Sequence, residues 1–211
     1  MPASRVTRNS PWHLVFVLDD SGSMAGEPAN KLNEAMEGMI EEMKLQSQGT
    51  KPYFKISTII FGSSSRLVAE VQSEQVIDRS KITSFSGNSG GTNMAAGLME
   101  AADVIRRNPG VSTDFDPYVF LLTDGVADNG PEALLAADVI KNMEVAAGKP
   151  RLIAIGLGSG PKMDFLGQVA SNPELAKHLA KPDDLVRFFP AIGTINSQGG
   201  TQAIEQAIMD I

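Results

Sequence analysis

The stretch His13-Leu-Val-Phe-Val-Leu-Asp-Asp-Ser-Gly-Ser-Met24 constrains this chain more than any other. Residues 14–18 are continuously apolar and partly β-branched or aromatic, which reads as a strand buried on both faces, the kind found in parallel sheets. The strand then runs straight into Asp19, Asp20, Ser21, Gly22 and Ser23, a cluster of carboxylates and hydroxyls. In open α/β sheets, ligands bind beyond the carboxyl ends of the strands. The loop therefore predicts an oxygen-rich site for a hard cation.

The rest of the chain supplies the sheet around that strand. Between Lys31 and Leu45, the apolar residues Leu32, Ala35, Met36, Met39, Ile40 and Met43 recur at helical spacing, with charged residues on the other face. A turn is expected over 46–52, and a second buried strand over 54–61. Gly62 and three serines end that strand, and 66–71 returns as a short hairpin partner. A connection through Ile77 and Ile82 leads to the glycine- and serine-rich loop 84–93. This loop opens a helix over 94–106, with Thr92 or Asn93 placed to cap it. A third buried strand, 117–123, ends in Asp124-Gly125. Pro131 then starts a helix expected to run to Ala147, where Gly148 stops it.

A strand over 151–157, a short helix ending near Ala170, an edge strand around His178 and Leu179, and helices over 183–195 and 202–211 complete the pattern. Strands alternating with helices predict an α/β fold: a doubly wound, mostly parallel central sheet flanked by helices, with one short antiparallel edge strand. The expected division is a flexible N-terminal lead-in over 1–11, one domain over 12–195, and a linker with a short helix over 196–211.

Composition narrows what such a domain does. The formal net charge is −7 and the basic residues are scattered, which argues against nucleic acid or an anionic membrane as partner. The absence of cysteine excludes disulfides, thiolate metal sites and a cysteine nucleophile. No stretch approaches a membrane span and the first residues lack a signal-peptide core, so the expected location is the cytoplasm.

Three strand ends or loops carry matching chemistry: Asp19, Ser21 and Ser23 after the first strand, Thr92 in the glycine-rich loop, and Asp124 after the third buried strand. Hydroxyls and carboxylates together suit Mg²⁺ or Mn²⁺, which take oxygen ligands and keep several waters, with Ca²⁺ also tolerated. Three hydroxyls with two carboxylates held back leave such an ion under-neutralised and open to an outside acid.

The pattern Asp19-x-Ser21-x-Ser23, then Thr92, then Asp124 resembles the von Willebrand factor A family and its metal-ion-dependent adhesion site. All five positions are filled in order, and the resemblance covers roughly residues 12–195. It implies that Ser21, Ser23 and Thr92 contact the ion directly while Asp19 and Asp124 act through water. It also implies that an Asp or Glu of a protein partner completes the coordination. The run Asp20-Ser-Gly-Ser-Met-x-Gly-x-Pro28 looks most like the bacterial tellurium-resistance-type, TerY-like members. These tend to be stand-alone cytoplasmic proteins encoded near kinases and phosphatases. The implied role is an adaptor or assembly factor, not an enzyme.

Two other classes compete with this reading. A metal-assisted hydrolase of phosphate esters needs a base or a second metal beside the first. His13 and His178 lie apart and beside no candidate nucleophile, so both read as packing or surface residues. A subunit partnering an AAA+ ATPase would still be a metal-dependent binder, and without a Walker A motif the ATPase must be supplied in trans. Gly156-Leu-Gly158-Ser-Gly160 departs from a dinucleotide-binding spacing and reads as a turn. Asp20 is expected to be a solvated loop residue, and Asp128 a turn former.

Overall fold

Burial on both faces holds for the whole of β1 (Trp12–Asp19), whose eight residues are all buried. The structure, a computed structural model, describes residues 10–47, 54–195 and 200–210, the last segment without the side chains of 200–202. Most of the expected lead-in, most of the expected turn after residue 46 and the expected linker at 196–199 lie outside the described residues.

Six strands form one sheet in the order β3-β2-β1-β4-β5-β6. They are β1, β2 (Phe54–Phe61), β3 (Ser65–Ser73), β4 (Tyr118–Thr123), β5 (Arg151–Leu157) and β6 (Ala176–Leu179). All neighbours pair in parallel except β2 and β3, the expected hairpin. Strand order reverses between β1 and β4, so a crevice opens between the carboxyl ends of those two strands.

Helices cover both faces. They are α1 (Glu27–Gln46), α2 (Arg79–Ile82), α3 (Met94–Arg107), α4 (Gly130–Lys141), α5 (Met163–Val169), α6 (Asp183–Thr194) and α7 (Gly200–Asp210). Successive side chains of a strand point to opposite faces, and β1 shows this at Phe16 and Val17. Phe16 packs on Phe120 and on Phe189 of α6. Val17 instead lies under Gly97 of α3, where a Cβ would come within 2.8 Å of it. Helices α1 and α6 thus form one layer, with Pro190 of α6 seated on Gly38 of α1.

Two boundaries differ from expectation by more than two residues. Helix α1 starts at Glu27 instead of Lys31, because Pro28 sits in its first turn, where a missing N–H is tolerated. Helix α4 stops at Lys141 instead of Ala147. The Asn142 side chain donates to the Asp138 carbonyl, and the chain then folds back so that the Ala147 N–H reaches the Pro109 carbonyl. A short amide side chain that bonds its own backbone competes with helix continuation. The terminal helix α7 buries Ile204 and Ile208 and pairs Glu205 with Arg151 of β5. Among the described residues, no helix is long and apolar enough to cross a membrane.

Candidate metal site

The site begins at the last residue of β1. Asp19 is fully buried, and both its oxygens are taken. Oδ1 accepts from the Ser21 N–H at 2.8 Å, and Oδ2 accepts from the Thr123 hydroxyl at 2.6 Å. Thr123 is the last residue of β4, so this bond ties the two strands across the crevice. Burial pushes the Asp19 carboxyl up to about 6, against the opposing effect of the Ser21 and Thr123 hydrogen bonds, with Asp124 adding to the rise.

A 3₁₀ turn (Gly22–Met24) holds the serines next to each other. Ser21 Oγ and Ser23 Oγ are 3.2 Å apart, and Ser23 Oγ donates to Asp124 Oδ1 at 2.6 Å. A Cβ on Gly125 would lie 3.7 Å from Thr92 Oγ1 and 4.0 Å from Ser23 Oγ, so these hydroxyls face one small space. All five expected residues are therefore brought to one end of the sheet: Asp19, Ser21 and Ser23 from the β1 loop, Asp124 from the β4 loop, and Thr92 from the glycine-rich loop.

Asp20 corrects an expectation. It is 2% exposed rather than solvated. Its Oδ1 accepts from the N–H groups of Ser86 and Gly87, both at 2.7 Å, and its Oδ2 accepts from the Ser89 hydroxyl at 2.6 Å. Asp20 thereby pulls the glycine-rich loop down onto β1. Gly87 has a φ of +70° and abuts the Ala25 backbone, so only glycine fits there without strain. Asp128 is also more than a turn former. Its Oδ2 accepts from the Thr92 N–H at 2.9 Å, and its own N–H donates to the Thr92 carbonyl at 3.1 Å. Asn93, not Thr92, caps α3, accepting from the Ala96 N–H.

The sequence alone gives Thr123 no role in the site, and Gly160 only that of a turn residue. A hydroxyl at the end of an apolar strand was the available signal for Thr123. Gly160 gave none: a Cβ there would collide with the Asp124 carbonyl oxygen, so the glycine lets the β5–α5 turn pass beneath the β4 loop. The turn reading of residues 156–160 agrees with the positive φ of Gly158.

The donor set fits a hard divalent cation. It consists of hydroxyl and carboxylate oxygens only, and among the described residues none of Asp19, Asp20, Asp124 or Asp128 forms an ion pair. No group of three or more carboxylates and imidazoles forms a closed cage among the described residues. The site is hydroxyl-led and open on one side. Among the described residues, no imidazole stands near it. His13 is at the other end of β1, where its Nε2 bonds Ser57 Oγ. His178 lies on β6, two strands from β4 and on the order of 10 Å away, and bonds the Gly158 carbonyl just past β5.

The family profile of the von Willebrand factor type A domain matches residues 13–198. A von Willebrand factor A domain-containing protein of Dictyostelium discoideum is 26% identical over 163 residues, covering 75% of this chain and 17% of that protein. The chain spans less than a fifth of the length of the curated relatives it matches. Solved structures share the fold. The manganese-loaded TRAP protein of Plasmodium vivax superposes with a TM-score of 0.61 at 24% identity, over 87% of this chain and 73% of that one. Proximal thread matrix protein 1 of the mussel byssus, solved with a zinc-occupied MIDAS motif, superposes with a TM-score of 0.61 at 20% identity, over 89% of this chain and 48% of that one.

Proposed function

The chain belongs to the von Willebrand factor type A domain family, and from that premise we propose that it is a divalent-metal-dependent protein-binding module. Ser21, Ser23 and Thr92 would hold the ion, with Asp19 and Asp124 supporting it and a carboxylate of a protein partner completing the coordination. When bound, the ion would supply an electrophilic centre for that carboxylate. The observation that carries this reading is the meeting of three hydroxyls and two carboxylates with no cationic side chain among them.

The chain's own residues prepare such a site. Thr123 and the Ser21 N–H orient Asp19. Asp124 accepts the Ser23 hydroxyl's hydrogen bond, which leaves that oxygen's lone pairs for an ion. Asp20 and Asp128 hold the loop that presents Thr92. Mg²⁺ is the ion favoured by hard oxygen donors, with Mn²⁺ next and Ca²⁺ tolerated. The manganese and zinc ions named for two proteins of this fold support a divalent ion without deciding which. A hydroxyl-led site with no imidazole or second metal cluster beside it among the described residues suits holding a carboxylate better than hydrolysis.

The finer reading is an adaptor or assembly factor of the stand-alone bacterial tellurium-resistance type, in the cytoplasm, with a kinase, phosphatase or AAA+ ATPase as partner. The run Asp20-Ser-Gly-Ser-Met24 supports it. Residues 12–195 would be the binding domain and 196–211 an appended segment. Calorimetric titration with Mg²⁺ or Mn²⁺ tests the site. One binding event is expected in the wild type, with affinity lowered about 100-fold or more in Ser21→Ala and Asp124→Ala, at or above the upper end of losses seen on changing groups around a metal's direct ligands. Unchanged isotherms would sink the assignment.

A further inference from the structure

We propose that the groove between α3 and α4 is a second contact for the segment that brings its carboxylate to the metal site. On this reading it takes an aliphatic side chain of the segment while a Lys or Arg of the same segment faces Glu132. The inference rests on the metal-dependent reading above. The groove has a volume of about 280 Å³ and is lined by Ala95 and Met99 of α3 and by Leu135, Ala136 and Val139 of α4, with Glu132 at its rim. Leu135 is 67% exposed and Met99 38%. Single exposed apolar residues need no explanation, but two that share one concavity on adjacent helices form a patch.

The groove is continuous with the metal face. The paired hydrogen bonds between Thr92 and Asp128 join the two loops just before α3 and α4. Ala95 and Glu132 then lie in the first turns of their helices. Met99 follows Thr92, and Leu135 follows Asp128, by seven residues, about 10 Å along a helix axis. A segment with its carboxylate at the ion thus reaches the apolar lining with a side chain about three residues further on if it is extended.

Charge argues for the basic residue. Asp128 and Glu132 are both exposed, and neither is in an ion pair among the described residues. An acidic segment entering beside them is repelled unless it also carries a cation, and complementary charge sets register and selects partners. The occupant is therefore a peptide segment that combines an acid, an aliphatic residue and a base.

The test is selection of a random peptide display library on the protein in Mn²⁺, with affinities of the synthetic peptides measured by fluorescence anisotropy. Enriched peptides should carry Asp or Glu, an aliphatic residue two to four positions away, and a Lys or Arg. Leu135→Asp should weaken them by about tenfold or more, the worth of one buried aliphatic side chain, with calorimetric Mn²⁺ affinity unchanged. Glu132→Lys should weaken only peptides that carry the base. Chelator-sensitive peptides that bind wild type and Leu135→Asp equally overturn the groove and leave the metal reading standing. Peptides that survive chelator count against the metal reading itself. A library with no Mn²⁺-dependent binder, or a wild-type dimer that Leu135→Asp turns into a monomer, overturns the proposed occupant.

Discussion

At the amino end of the sheet, Asp114 lies 3.3 Å from Lys55, and Glu70 accepts from Arg107 and Asn108. At the carboxyl end, Asp19, Asp20, Asp124 and Asp128 receive only N–H and O–H groups. One carboxyl group from each set moves in the direction opposite to the other. Asn108 and Arg107 hold Glu70 below its ordinary value, whereas burial raises Asp19 to about 6. Glu74 is the exception at the amino end: it is buried, with one oxygen on the Phe54 N–H and the other without a partner among the described residues. The contrast separates charge that is neutralised inside the fold from charge that is only oriented by it. Dipoles place a carboxylate without cancelling it, so Asp19, Asp20, Asp124 and Asp128 keep charge that the proposed cation would meet.

The largest way to break the contrast is at Asp20. Asp20→Ala leaves the buried Gly87 N–H, the part-buried Ser86 N–H and a hydroxyl without their acceptor, for a loss of about 3 kcal/mol in urea unfolding. Asp20→Asn keeps an acceptor and should lose less. A loss below about 1 kcal/mol in the alanine variant would mean the glycine-rich loop is held by its other bonds.

A comparable effect follows from giving the carboxyl end the cation that the amino end has. In the wild type, a metal at about a hundred times its Kd adds about 2.7 kcal/mol of stability. Thr92→Lys should abolish that gain and melt higher than wild type in chelator. Persistence of the metal-induced shift would show that the carboxylates there are not awaiting a cation.

The smallest effect tests the amino end. Burial, helped by the Lys55 charge and opposed by Glu70, lowers His13 to about 4 from an ordinary 6.5. The unfolded chain then binds more protons between those values, so this contribution is complete above about pH 6.5 and is lost as pH falls toward 4. By linkage, about 2 kcal/mol should disappear between pH 7 and 5. His13→Gln should show that much less acid sensitivity in chemical unfolding at the two pH values. Equal sensitivity would place the protonation elsewhere.

Most strands and helices were legible because their periodicities are local. Continuous apolar runs marked β1, β2, β4 and β5, and the alternation of strand with helix pointed to the parallel order. The end of α4 was not legible, since a contact from Ala147 to the Pro109 carbonyl helps to decide it. In the site, Asp19, Ser21, Ser23, Thr92 and Asp124 stood out by residue type at strand or loop ends. Asp20 was misread because a carboxylate in a polar loop looks solvated until its three donors, 66 to 69 residues away, are seen.

The sequence by itself determined the fold class and the donor types: hard oxygens on loops that leave buried strands. Only the tertiary structure decided which of those oxygens meet and which charges stay uncompensated. It set Thr123 on Asp19, Asp128 on Thr92, and Gly160 beneath Asp124. The physical reason is range. Propensity and periodicity act over a few residues, whereas hydrogen bonding and burial act through space, between loops that the strand order brings together at one crevice.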